Sequence, residues 1–120
     1  MLTQILIEAD FDPTAVIGGK LPLTGSNGMV GHSEHMVCEA CEFVDTFLDL
    51  SPDIAVILNV DEDHLDYFKT FDNLKNSFTK FASMATKTII FNGDDLNTVD
   101  AVVPAVEISQ KSVITFGFND

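Results

Sequence analysis

The run Ile54-Ala55-Val56-Ile57-Leu58-Asn59-Val60-Asp61-Glu62-Asp63-His64-Leu65-Asp66 joins an apolar segment directly to a cluster of metal-type ligands. Strands of a parallel sheet are covered by helices on both faces, so they read as continuous apolar runs, and ligands gather in the crevice beyond their carboxyl ends. Ile54 to Val60 therefore reads as the central strand, with Pro52 just before its start. Asp61, Glu62, Asp63, His64 and Asp66 then stand on the rim where that strand ends.

Working outward toward the carboxyl end, Phe71, Leu74, Phe78, Phe81 and Ala85 recur at steps of three and four and predict a helix. Thr70 is its N-cap, and Asp72 suits its first turn. Lys87 to Asn92 reads as a strand, Asp95 to Val103 as a helix ended by Pro104, and Ser112 to Phe118 as a last strand. In the other direction, Phe43 to Leu50 predicts a short helix and His35 to Ala40 a second strand. Gly18 to Gly31 reads as a loop with five glycines, and Thr14 to Ile17 as a short strand. Leu2, Ile5, Leu6 and Ala9 keep helical spacing, yet nothing before Met1 supplies a cap, so this helix is expected to begin in mid-course. Strands alternating with helices imply an α/β domain with a mostly parallel sheet and right-handed crossovers.

A chain of 120 residues is one domain at most, or a piece of one. Six basic against nineteen acidic residues give a net charge of −13, which opposes nucleic acid and anionic membranes and favours a divalent cation as partner. With no basic n-region ahead of an apolar h-region and no apolar run near the ~20 residues of a membrane span, the protein is expected to be cytoplasmic. Cys38 and Cys41 form a C-x-x-C, preceded by His32 and His35 at the same spacing. On a strand, residues three apart face opposite ways, so the thiols do not converge on one metal and read as ordinary reduced cysteines. Gly25, Gly28 and Gly31 lack a following Gly-Lys-Ser/Thr and read as turn residues rather than a phosphate loop.

If the strands are parallel, Glu39 and His64 lie along one rim and can share a cation. Mg²⁺ or Mn²⁺ prefers oxygen and keeps waters, so one carboxylate and one imidazole suffice when substrate phosphates complete the shell. The competing reading is a solvated acidic turn with a helix-capping histidine, and spacing alone leaves both open.

The run Leu58 to Tyr67, preceded by Glu39-Ala40-Cys41-Glu42 with twenty-five positions from Glu39 to His64, resembles the central domain of the Mur ligases. Gly18-Gly19, Phe47-Leu48, Asp94-Asp95 and Thr115-Phe116-Gly117-Phe118 add to a likeness that covers nearly the whole chain. The resemblance implies that residues 1–120 are part of the P-loop-type, ATP-binding central domain. It places the uridine-nucleotide-binding amino-terminal domain and the carboxy-terminal domain outside this chain. For the full-length parent it implies an amide-forming ligase of peptidoglycan synthesis, and hence of cell-wall biogenesis, cell shape and division. ATP and Mg²⁺ (or Mn²⁺) would be its cofactors, with Glu39 and His64 as metal ligands and Asn59 shaping the nucleotide-side rim.

Within the family the likeness is greatest to the branch whose substrates are UDP-N-acetylmuramate and L-alanine. Branches adding later residues commonly carry a carbamylated lysine in the helix after the histidine motif; the matching position here is Phe78, with Lys80 two residues on. Where the family commonly has an acidic residue, this chain has Cys41. The family's Gly-Lys-Thr-Thr phosphate loop occurs nowhere in the sequence, so the chain alone is expected neither to hydrolyse ATP nor to ligate alanine. Alternatives are a free-standing acidic metal-binding or interaction module, a related ligase attaching a preformed peptide to muramic acid, and folylpolyglutamate synthase.

Overall fold

The spacing of Leu2, Ile5 and Leu6 is realised as α1 (Leu2–Glu8) in a computed structural model that describes residues 1–118. Met1 occupies the cap position and makes no side-chain capping bond. The chain forms two compact units, residues 1–40 and 41–120.

In the first unit, β1 (Thr14–Leu21) pairs antiparallel with β2 (Ser26–Met29) and parallel with β3 (Met36–Cys38), giving the strand order β2-β1-β3. The expected glycine loop is therefore corrected to a hairpin. Its second strand, Ser-Asn-Gly-Met, has no apolar alternation to betray it. The register shifts between Val16 and Leu21, where Gly18 and Gly19 sit, and Gly25 at φ 64 closes the turn. Gly31 lies so close to the Asp12 backbone that a Cβ there would come within 2.1 Å of its carbonyl oxygen. That position therefore tolerates no other residue without a shift of the chain.

In the second unit, Phe43–Asp49 is a kinked 3₁₀ segment rather than the expected α-helix, because Val44 (φ 54) and Asp45 (φ 59) are left-handed. β4 (Ile54–Ile57) is followed by α2 (Leu65–Phe68), α3 (Phe71–Met84), β5 (Thr88–Asn92), α4 (Leu96–Glu107) and β6 (Ser112–Phe116). These strands form a parallel sheet in the order β4-β5-β6. Thus the single sheet expected is two three-stranded ones, although three of the four pairings among the described residues are parallel. β4 stops at Ile57, so Leu58 to Val60 already belong to the exit loop. The one-turn α2 had no sequence signal, being shorter than any periodicity can register.

Adjacent residues in parallel register share a face. Ala55, Ile57, Ile89 and Phe91 are buried on one face, with Leu74, Phe81 and Ala82 of α3 and Ala101, Val102 and Ala105 of α4 packed into the same core. This core explains why α4 runs on through Pro104, where the sequence predicts a stop. Proline removes one backbone bond, but Ala105 beyond it is fully buried, and Pro104 itself faces solvent. Thr70 caps α3 as expected, its hydroxyl accepting from the Asn73 N–H at 3.2 Å.

Asp95 is the N-cap of α4 rather than its first residue. Its carboxylate accepts from the Thr98 N–H at 2.9 Å, from the buried Thr98 hydroxyl and from the Val60 N–H at 3.3 Å. One side chain thus starts a helix and fixes the exit of β4. The Thr98 hydroxyl and the backbone donors hold the Asp95 carboxyl below its ordinary value. Asp95→Ala is expected to lose about 2 kcal/mol in urea unfolding, from the lost cap and the buried donors it leaves unpaired. Because the folded-state value is depressed, the share of this contribution that belongs to the ionised carboxylate is complete above the unfolded value of about 3.9 and lost as pH falls through the folded one. The gap between wild type and variant should therefore narrow in acid, by the share that belongs to the ionised carboxylate; a pH-independent gap would contradict the assignment.

Candidate metal and phosphate-side site

Left-handed backbone marks both segments that build the site in the second unit. His64 (φ 52) is the N-cap residue of α2, and Val44 and Asp45 kink the 3₁₀ segment. Histidine tolerates this region, but a β-branched valine there is a true outlier, costing of order 1–3 kcal/mol. The surrounding bonds must hold it in place. The Asp45 N–H donates to the Glu42 carbonyl at 2.9 Å, and the Phe47 N–H and Thr46 hydroxyl both donate to the Cys41 carbonyl, at 2.9 and 2.8 Å. Phe47, 2 % exposed, stacks on Phe81 at 4.8 Å between centroids and meets Phe78 edge-on at 5.3 Å. Phe78 is thus part of the aromatic cluster under this segment.

His64 faces two carboxylates. Its Nε2 lies 3.6 Å from Glu42 Oε1, and its Nδ1 lies 3.6 Å from Asp63 Oδ1. The Asp63 carboxylate also accepts the His64 backbone N–H at 2.7 Å, and the Phe43 ring packs on the imidazole at 4.8 Å. Ligand atoms of Glu42, Asp63 and His64 all fall within 4.8 Å of one another, close enough to meet one ion. Two carboxylates and an imidazole, partly exposed, fit a hard or borderline divalent cation that keeps open positions for water or phosphate.

Of the five residues that the sequence put on the rim, Asp63 and His64 enter this group. Asp61 instead accepts the Glu62 N–H at 2.8 Å as a turn, and Asp66 is exposed on α2. Besides its chain neighbour Asp63, the carboxylate that the second unit sets against His64 is that of Glu42. Glu39 lies in the first unit, just past β3, where its carboxylate accepts the Gly18 N–H at 2.7 Å. A Cβ on Gly18 would meet that oxygen at 3.4 Å, an ordinary contact, so it is the Gly18 N–H rather than the missing side chain that seats Glu39. Asn59 is exposed on the loop leaving β4. Cys38 and Cys41 are free and exposed, and His32 is engaged by Asp12, Nδ1 to Oδ2 at 2.8 Å.

Sequence reasoning missed Asp45 and Tyr67. The Tyr67 hydroxyl donates to the Asp45 carboxylate at 2.9 Å, which raises the phenol's pKa, and the buried Ser77 hydroxyl donates to the same carboxylate. The only sequence hint is a matched spacing: Asp45 follows Glu42 by three, and Tyr67 follows His64 by three.

A parallel α/β unit with carboxylates and an imidazole gathered past a strand's carboxyl end belongs to the class of open-sheet α/β domains, whose ligands bind at that edge. The comparisons narrow that class. The Mur ligase middle domain profile matches residues 15–120. A UDP-N-acetylmuramate--L-alanine ligase of Caldanaerobacter subterraneus subsp. tengcongensis is 46% identical over 100% of this chain. The ligase of the same name in Caldicellulosiruptor bescii is 45% identical over 85% of the chain, and that in Clostridium perfringens 36% over 100%. The protein belongs to the Mur ligase family, as part of its middle domain. It spans about a quarter of the length of these relatives, 26%, 23% and 26% respectively.

Proposed function

We propose that this chain is the middle-domain portion of an ATP-dependent ligase that joins L-alanine to UDP-N-acetylmuramate, a cytoplasmic step of peptidoglycan synthesis. The observation that carries the reading is identity of 36–46% to ligases of that name across the full chain, His64 region included. In the parent, the muramoyl carboxylate attacks the γ-phosphate of ATP to give an acyl phosphate and release ADP; the alanine amine then attacks the acyl carbon, forming the amide and releasing inorganic phosphate and a proton. Like charges meet in the first step, so positioning and positive charge matter more than an acid or a base.

His64 and Glu39 are the proposed ligands of Mg²⁺ or Mn²⁺, with Glu42 and Asp63 completing the acidic wall around His64; Asn59 is proposed to line the nucleotide side. A bound cation would supply the charge stabilisation where the phosphoryl group is transferred. This chain's own part is to hold the imidazole at the loop between β4 and α2, with Asp95 anchoring the loop through Val60. The chain alone is proposed to be inactive, since it has no Gly-Lys-Thr-Thr loop to cradle the β- and γ-phosphates.

The test is a chimera in which this chain replaces the matching segment of the Caldanaerobacter relative. Phosphate release that depends on ATP, UDP-N-acetylmuramate and L-alanine together is the expected result, at a rate comparable to the relative's. A chimera that folds, by circular dichroism and thermal melting, yet shows no alanine-dependent turnover would overturn the reading.

A further inference from the structure

Two one-turn segments face each other in the second unit and are tied at both ends. In the first, the Asp45 N–H closes on the Glu42 carbonyl at 2.9 Å; in the second, the Tyr67 N–H closes on the His64 carbonyl at 2.9 Å. At one end the Glu42 carboxylate and the Phe43 ring meet the His64 imidazole, at 3.6 and 4.8 Å. At the other end, three residues on in each segment, the Tyr67 hydroxyl donates to the Asp45 carboxylate at 2.9 Å. The result is a closed circuit, Glu42 to Asp45 to Tyr67 to His64 and back.

We propose that the Asp45–Tyr67 hydrogen bond is a latch that positions the His64 imidazole against Glu42, making both of its residues positioning residues for the site. The other restraints act at the far end of α2, where the Asn73 side chain donates to the carbonyl of the buried Phe68 at 2.8 Å, and through the exposed neighbour Asp63; the Tyr67 hydroxyl is the tie between α2 and the segment that carries Glu42. α2 is a single turn, and its N-cap residue makes no side-chain capping bond. The Glu42 and His64 side chains are about a third exposed, at 31% and 33%. A helix this short does not hold its own orientation, whereas a hydrogen bond to an ionised acceptor is among the stronger and more directional ones.

The carboxylate end of the latch is fixed independently. Ser77 of the long, capped α3 donates a second bond to Asp45. The latch thus transfers the rigidity of α3 through Asp45 and Tyr67 to the histidine. Asp45 holds its left-handed conformation in the course of doing so, which aspartate and asparagine tolerate better than other side chains.

The metal readout rests on the reading of His64 as a ligand, but the positioning does not, and the test separates them. In this chain, proton NMR of the His64 ring reports its contact with Phe43, and Mn²⁺ titration followed by paramagnetic broadening of the same signals reports binding. Tyr67→Phe and Asp45→Ala are expected to shift the His64 ring signals toward free-imidazole values and weaken Mn²⁺ binding there by roughly tenfold, the size of outer-sphere effects on metal ligands. Asp45→Asn keeps an acceptor for the Tyr67 hydroxyl and the left-handed backbone, and should restore the wild-type ring signals. All spectra are taken well below each variant's melting midpoint, so that unfolding is not mistaken for misplacement.

If His64 signals are the same in Tyr67→Phe as in wild type, the latch is overturned. If Asp45→Asn behaves like Asp45→Ala, the acceptor geometry is not what matters and the latch fails as well. Wild-type signals that Mn²⁺ leaves unbroadened would refute the metal reading alone, with the ring shifts still deciding the latch.

Discussion

Phe47→Ala is expected to cost about 3–5 kcal/mol, the usual range for removing a fully buried phenylalanine, and to be the most damaging single truncation in the second unit. Phe47 is 2 % exposed and lies against two aromatic rings of α3, stacked on Phe81 and edge-on to Phe78. Its loss leaves a cavity that α3, capped and packed on α4, cannot close by moving. The cost extends beyond the hole, because Phe47 is also the apolar anchor of a segment whose Val44 and Asp45 are left-handed. Without that anchor the 3₁₀ segment should relax toward ordinary backbone and carry Glu42 away from His64. Urea unfolding followed by tryptophan-free probes such as far-UV circular dichroism should show a lower midpoint at an unchanged slope. A loss below about 1 kcal/mol would mean that the aromatic cluster repacks freely and does not secure the segment.

In the active chimera, His64→Ala is expected to lower kcat/KM by about 10²–10³, the range seen when one preorganised electrostatic partner of a developing charge is removed. The imidazole sits where the loop from β4 turns into α2, with Glu42 on one side and Asp63 on the other. Raising Mg²⁺ should recover part of the rate, since the variant loses affinity for the ion and keeps the acidic wall. Glu39→Gln and Glu42→Gln, assayed beside it, decide which carboxylate shares the ion with His64. The larger rise in the Mg²⁺ requirement identifies the ligand. A chimera whose Mg²⁺ dependence is unmoved by His64→Ala would remove the proposed role from this residue, while leaving family membership intact.

Much of the second unit was legible because its signals are local. The Thr70 cap, the stripe through Leu74 and Phe81 and the apolar run of β5 each declare themselves within a dozen residues, and each is found as read. The hairpin β1–β2 was not legible: Ser26 to Met29 carries no alternation, and its pairing with β1 is a matter of backbone bonds that side-chain pattern does not encode. Pro104 misled for the opposite reason. A local rule ended the helix there, and burial of Ala105 in the core outweighed it.

The site divides in the same way. His64 and Asp63 stood out from the abrupt change of an apolar strand into ligand-type residues, a property of neighbours in the chain. The resemblance pointed to Glu39, whereas the carboxylate brought to the histidine from elsewhere in its own unit is that of Glu42. The latch through Asp45 and Tyr67 spans 22 residues, and Ser77 reaches the same carboxylate across 32.

By itself, then, the sequence determined the family, the α/β class and the strand end that bears the histidine, because repeat spacing, caps and an apolar-to-polar boundary act between near neighbours. Tertiary structure alone decided which distant carboxylate faces His64, why two left-handed residues are held at Val44 and Asp45, and that Tyr67, one turn from the histidine, is tied to Asp45. Those outcomes depend on which distant segments pack together, and a spacing along the chain carries no information about a distance across it.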